Sequence, residues 1–161
     1  MSGDSGIRDV VTGLYVRAYF DDVIARELER SRRHGIALSV VSVVVENLAD
    51  VAREGEDAAV SVLVGTAREL LANVRETDHA FRWEDDEFVL LLFEADAAAC
   101  ARKVASLAAL FRPWRDGSGP VPVPVRVRVG GATHEEGLVF PSVLQAARAI
   151  SRPAPRPDPG A

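Results

Sequence analysis

Residues 37–45 read Ala-Leu-Ser-Val-Val-Ser-Val-Val-Val, an almost unbroken apolar run with five valines. β-Branched side chains lose χ1 freedom in a helix and pack well on a pleated surface, so this run is a strand. Apolar residues at consecutive positions point to both faces of a sheet. The strand is therefore covered on both sides and lies centrally. A chain with such a strand needs helices above and below it.

The flanking segments supply them. From Val16 to His34, Tyr19, Phe20, Val23, Ile24 and Leu28 recur at helical spacing, and Gly35 follows as a C-terminal cap. Residues 56–75 carry Val60, Leu63, Ala67, Leu70, Leu71 and Val74 on one stripe. His79–Trp83 and Glu87–Phe93 flank Glu84-Asp85-Asp86 and predict a hairpin. An Ala-rich helix spans Asp96–Phe111, with Asp96 near its start. Val121–Val129 alternates, but Pro122 and Pro124 cannot donate to a ladder, so its start is an edge or a lead-in. A last helix covers Phe140–Arg152. The order α-β-α-β-β-α-β-α predicts an α/β (α+β) sandwich of ferredoxin-like type, with a mixed central sheet flanked by helices. At 161 residues one domain is expected, over 9–152, with a flexible N-terminus over 1–8 and a disordered Pro-rich tail over 153–161.

Composition removes several classes of function. The net charge is −5, which argues against general nucleic-acid binding. The single cysteine, Cys100, excludes an internal disulfide framework and reads as a buried small residue. No apolar run reaches the roughly 18 residues of a membrane span, and no leader pattern opens the chain. A cytoplasmic location without membrane contact is expected. His34, His79 and His134 have no metal-ligand spacing and read as surface or loop residues. Trp83 reads as hairpin packing. Arg30, Arg32 and Arg33 suit the negative end of a helix dipole and need no nucleic acid.

Four segments together carry a resemblance. Asp9-x-x-Thr12-Gly13-Leu14-Tyr15-x-Arg17-x-x-Phe20 is similar to the DxLTGLxNRxxF opening of the GGDEF (diguanylate cyclase) family. Leu38-Ser39 and the apolar run resemble that family's first core strand. Arg75-Glu-Thr-Asp78, five residues, then Glu84-Asp85-Asp86-Glu87-Phe88 matches the spacing of RxxD and the GGDEF signature. Arg126-Val-Arg-Val-Gly130-Gly-Ala132 resembles the late TVSIGVA strand. The resemblance implies a domain that works in pairs, each holding one GTP, to make cyclic di-GMP. It also implies two metal ions bound by an Asp at the end of the first strand and by the acid at the third signature position.

The departures from that pattern cluster at the nucleotide site. The metal Asp falls on Val44 or, with a shifted gap, Val43, and neither supplies the oxygen that Mg²⁺ takes. The two signature glycines are Glu84 and Asp85, which put side chains where the family brings bare backbone to the nucleotide. The base-contacting Asn and Asp align with Ala52 and Arg53. The GHxxGD segment becomes Gly55-Glu56-Asp57-Ala58-Ala59-Val60. The late phosphate-binding Lys is expected just after Ser151-Arg152, where Pro153-Ala154 stand. The expectation is a degenerate active site without cyclase activity, in which Asp86 and Glu87 are remnants. No cofactor is required and Mg²⁺ is not expected.

The RxxD element is retained. In the family it is the inhibitory site for intercalated cyclic di-GMP, and the resemblance carries that role to Arg75 and Asp78, with Arg102 on the following helix as a further candidate. An arginine fork suits phosphate or a guanine acceptor edge. The same residues also allow an i,i+3 ion pair at a turn, worth a few tenths of a kcal/mol. Three main readings stand, beside a fourth in which GTP is bound without turnover. The first is a cyclic di-GMP receptor that signals to an unidentified protein partner or through a homodimer. The second is a nucleotide-free interaction scaffold. The third is an active diguanylate cyclase with an unusual metal site using Asp86, Glu87 and Glu46.

Overall fold

The computed structural model describes residues 6–135 and 140–153. Of the flexible ends expected from sequence, 1–5 and 154–161 lie outside the described residues. Ile7 and Arg8 are tied down, because Val16 N donates to Ile7 O at 2.8 Å and Arg8 bridges Tyr15.

The chain runs β1 (Tyr15–Val16), α1 (Phe20–His34), β2 (Leu38–Val45), α2 (Leu48–Ala52), α3 (Glu56–Ala72), β3 (His79–Glu84), β4 (Glu87–Phe93), α4 (Ala97–Phe111), β5 (Val127–Thr133) and α5 (Phe140–Ser151). The five strands order as β1-β3-β4-β2-β5. β1 pairs parallel with β3, and the other pairs are antiparallel. This is the mixed sheet flanked by helices that the sequence predicts.

β2 is buried along its whole length. Its alternation sorts the core into two layers. Val41, Val43 and Val45 join Leu63, Ala67, Leu70 and Leu107 under α3 and α4. Val40 joins Phe20, Val23, Phe81, Val143 and Ala147 under α1 and α5. Gly35 takes φ 64° beyond α1, and the Asp96 side chain accepts from Ala99 N at the start of α4, so both caps form as read from sequence.

Four elements differ from the sequence reading, the first being β1, which the predicted order lacks. α1 begins at Phe20, because Arg17–Tyr19 form a 3₁₀ turn that links it to β1. α2 was not foreseen. β5 starts at Val127, after the lead-in that the prolines predict, but runs on through both glycines to Thr133, past the end of the alternating pattern at Val129. The prolines keep 121–126 out of the ladder. The glycines stay in it because the helices press on them. A Cβ on Gly130 would sit 2.7 Å from Ser151 N of α5, and one on Gly131 would sit 2.8 Å from Cys100 Sγ of α4.

Candidate functional site

The β3–β4 hairpin carries chemistry at both ends. At its turn, Glu84, Asp85 and Asp86 lead into Glu87, the first residue of β4. Glu87 stands opposite Val44 across the β2–β4 ladder, so the two side chains share a face. That face belongs to α5. Val43 points the other way, into the α3/α4 core. Of the two positions considered for a strand-end Asp, only Val44 neighbours the acidic motif.

Glu87 is fully buried, and both its oxygens are used. Oε2 accepts from Ser42 Oγ at 2.9 Å and from Arg148 Nε at 2.8 Å, and Oε1 accepts from Arg148 Nη2 at 2.8 Å. Ser151 Oγ donates to Ser42 Oγ at 2.7 Å and closes the network onto α5. Arg152, one helical turn beyond Arg148, donates to Asp86 Oδ1 at 2.6 Å. The hydrogen bond to Glu87 holds the Arg148 guanidinium above its ordinary range, and that to Asp86 does the same for Arg152.

This corrects the reading of the late cation. Pro153 does follow α5, yet the helix has already delivered two arginines to the hairpin. Their i,i+4 spacing puts both on one helix face, and that signal was available in the sequence. Arg82 was also missed. It donates to Glu84 O at 3.2 Å and Asp85 O at 2.8 Å, and its Nη1 reaches Asp9 Oδ2 at 3.1 Å. The hairpin turn is thereby clamped to the Asp9–Thr12 turn, where Asp9 Oδ2 also accepts from Thr12 N at 2.9 Å.

A cleft of about 520 Å³ lies beside the turn, lined by Leu48, Ala49, Ala52, Ala59, Glu84, Asp85, Asp86 and Arg152. The wall facing the turn is Leu48, Ala49, Ala52 and Ala59, so the carboxylates in the lining are those of the turn itself. Arg53 is not in the lining and instead pairs with Asp50 at 3.8 Å. The donor set does not fit a divalent metal. Glu87 and Asp86 are engaged by guanidinium groups, and Val44 offers no oxygen. Among the described residues, no three His, Cys, Asp or Glu side chains are grouped to hold one.

The other end of the hairpin holds the RxxD pair. Arg75 lies in the turn after α3. Asp78 is almost wholly buried, accepting from Arg75 N at 2.9 Å and from Phe93 N at 3.0 Å. The Arg75 guanidinium approaches the same carboxylate at 3.4 Å and donates to Phe93 O, while its side chain stays 55% exposed. Asp78 thus has its oxygens turned to the backbone, and Arg75 is the member of the pair that solvent reaches. Arg102 is exposed on α4 and makes no ion pair with a described residue. Its neighbour Lys103 is the residue that reaches this corner, donating to Asn73 O at the end of α3.

Trp83, Cys100 and His79 sit in packed surroundings. Trp83 packs edge-on against Phe20 at 4.9 Å, and Cys100 is buried. His79 corrects the surface reading, because it is half-buried in β3 and stacked on Phe81. Burial pushes its imidazole below the ordinary value, against the partial opposition of Glu27.

A mixed five-stranded sheet with helices on both faces, carrying an acidic turn at one end of its central hairpin and an RxxD turn at the other, defines an α+β class of domain. The family model described as diguanylate cyclase, GGDEF domain, matches residues 7–151, and the chain belongs to that family. Diguanylate cyclase DosC of Escherichia coli (strain K12) is 31% identical over 88 residues, covering 54% of this chain and 19% of that protein. The chain therefore spans about a fifth of that relative. Among solved structures, diguanylate cyclase SiaD in complex with its activator SiaC, from Pseudomonas aeruginosa, superposes with a TM-score of 0.79 at 28% identity, covering 91% of this chain and 57% of that one. The GGDEF domain of DgcB from Caulobacter crescentus, in complex with c-di-GMP, gives 0.80 at 17% identity, covering 93% and 91%, and shares the fold. No helix among the described residues is long and apolar enough to cross a membrane.

Proposed function

We propose that this chain is a catalytically inactive GGDEF domain that serves as a cyclic di-GMP-binding regulatory module. The observation that carries the loss of catalysis is the closed ion-pair network at the hairpin. Arg148 and Arg152 occupy the carboxylates that a metal needs, and Val44 removes the third ligand. Asp85, whose carboxylate has no ion pair among the described residues, adds negative charge where a triphosphate must approach, and like charges a few ångströms apart repel by about 1–4 kcal/mol.

Binding of the dinucleotide is assigned to Arg75. Its guanidinium is held by Asp78 and Phe93 O and remains half exposed, so its fork is oriented before any ligand arrives. Asp78 acts as the residue that positions it. The DgcB domain was solved with c-di-GMP, which supports this ligand class for the fold. SiaD was solved with a protein activator, which supports transmission to a protein partner.

One observation favours a second reading. Both Asp78 oxygens are already engaged, as a purely structural turn requires. On that reading the chain is a nucleotide-free interaction scaffold. Incubation with GTP and Mg²⁺ and titration with cyclic di-GMP and GTP separate the readings. No cyclic di-GMP product together with saturable cyclic di-GMP binding supports the receptor. Detected product overturns the loss of catalysis, and silence toward both nucleotides leaves the scaffold.

A further inference from the structure

A cavity of about 770 Å³ lies between α1 and α5 and shares no lining residue with the cleft at the hairpin turn. Phe20, Ile24, Trp83, Phe140 and Leu144 give it an apolar, largely aromatic floor. Phe20 meets Trp83 edge-on at 4.9 Å and Phe140 at 5.9 Å. Two charged residues of opposite sign line the same cavity. Arg17 comes from the 3₁₀ turn, and Asp21 from the first turn of α1.

Three polar groups of this lining are left over by the fold. Trp83 is 8% exposed, and its Nε1–H is buried without an acceptor among the described residues. A buried indole donor ordinarily has one. The Asp21 carboxylate makes no ion pair or hydrogen bond with a described residue. Arg17 lies over the Trp83 ring at 4.3 Å, and its 3.6 Å approach to Glu84 is longer than a hydrogen bond. The indole N–H and the guanidinium call for a carboxylate, and Asp21 calls for an ammonium. Opposite charges over an apolar floor complement a zwitterion with an apolar body. A simple anion or a simple cation leaves one of the two charges opposed.

We propose that the α1–α5 cavity binds a free α-amino acid with a large apolar side chain. Its carboxylate is held by Arg17 and the Trp83 Nε1–H, its ammonium by Asp21, and its side chain lies on Phe20, Phe140 and Leu144. Cavities of roughly 300–1,000 Å³ hold small ligands of this kind. The site gives the domain a second ligand and does not rest on cyclic di-GMP binding at Arg75.

The test is calorimetric titration of L-phenylalanine into the parent chain. Three truncated probes run beside it: 3-phenylpropionate lacks the ammonium, phenethylamine lacks the carboxylate, and glycine lacks the ring. L-Phenylalanine is expected to bind saturably, and each truncated probe at least about tenfold more weakly, the scale of one charged hydrogen bond or one buried ring. Asp21→Asn is expected to bind phenylalanine no better than 3-phenylpropionate, and Arg17→Gln no better than phenethylamine. Thermal melting verifies that both variants are folded. The chain has two tryptophans, Trp83 and Trp114, whose indole N–H resonances are assigned with Trp83→Phe. The Trp83 resonance is expected to move on addition of phenylalanine while that of Trp114 stays. No saturable binding at millimolar phenylalanine overturns the proposal. So does glycine binding as tightly as phenylalanine, an affinity that both Asp21→Asn and Arg17→Gln leave unchanged, or a Trp83 resonance that does not move. Titration of cyclic di-GMP into Asp21→Asn, unchanged from the parent, keeps this result separate from the Arg75 assignment.

Discussion

Opposite Glu87, an aspartate on β2 would place a second carboxylate beside the first, and Val44 places an isopropyl group there instead. Glu87 then needs its compensating charge from elsewhere, and Arg148 supplies it with two 2.8 Å hydrogen bonds. A buried charge stripped of its partner is expensive, whereas an exposed pair is not. Arg148→Ala is therefore expected to destabilise the fold by about 3 kcal/mol, and Arg152→Ala by about 1 kcal/mol or less, in urea unfolding. Equal losses would remove the distinction between the buried and the exposed pair. His79 gives a pH dependence at the same scale. Its folded-state value is depressed by burial, so between that value and the ordinary 6.5 the unfolded chain binds the extra proton. Stability is then full above about 6.5 and falls as pH drops through that value. His79→Phe should flatten the pH 5–7 segment of the unfolding profile, a range set by the ordinary histidine value of about 6.5. Asp9 acts lower. Burial raises its carboxyl, but hydrogen bonds from Thr12 and Arg82 outweigh that and leave it below the usual value, so its contribution is lost only in acid.

At the scale of elements, the parts legible in the sequence were those whose local pattern and tertiary environment agree. The β-branched run of β2, the hairpin around Glu84-Asp85-Asp86 and the helical stripes all formed where read, and Asp96 capped α4 as its side chain allows. β1 was not legible, because two residues have no period, and its pairing with β3, like the Arg82–Asp9 contact across 73 positions, is tertiary. β5 was extended for a related reason. The alternating pattern stops at Val129, but the ladder runs on through Gly130 and Gly131, where α5 and α4 approach so closely that only glycine leaves room in the strand. Gly130→Val is expected to destabilise the protein by about 3 kcal/mol or more and lower its melting temperature, since the obstacle is helix backbone that cannot rotate away. A melting temperature equal to the parent's would contradict that packing account. The candidate site divides similarly. The acidic signature and RxxD were visible through their spacing, whereas the arginines that neutralise the signature come from α5, 61 positions from Glu87 in the case of Arg148.

Across the whole molecule, the β3–β4 hairpin separates two corners with different electrostatics. The turn corner is self-neutralised, with Glu84, Asp86 and Glu87 against Arg17, Arg148 and Arg152. The opposite corner presents a half-exposed Arg75 with Lys103 close by at the end of α3. On the proposed reading, a dinucleotide carrying two phosphates and two guanine edges meets the half-exposed Arg75 fork at the second corner, whereas the cations of the turn corner are paired with carboxylates. The measurement that tests this most directly is isothermal titration of cyclic di-GMP into the parent chain and into Arg75→Ala. The account predicts saturable binding to the parent and a loss of at least about tenfold in Arg75→Ala, the cost of one charged fork on phosphate. Equal affinity in the two proteins, or no binding to the parent, would contradict it.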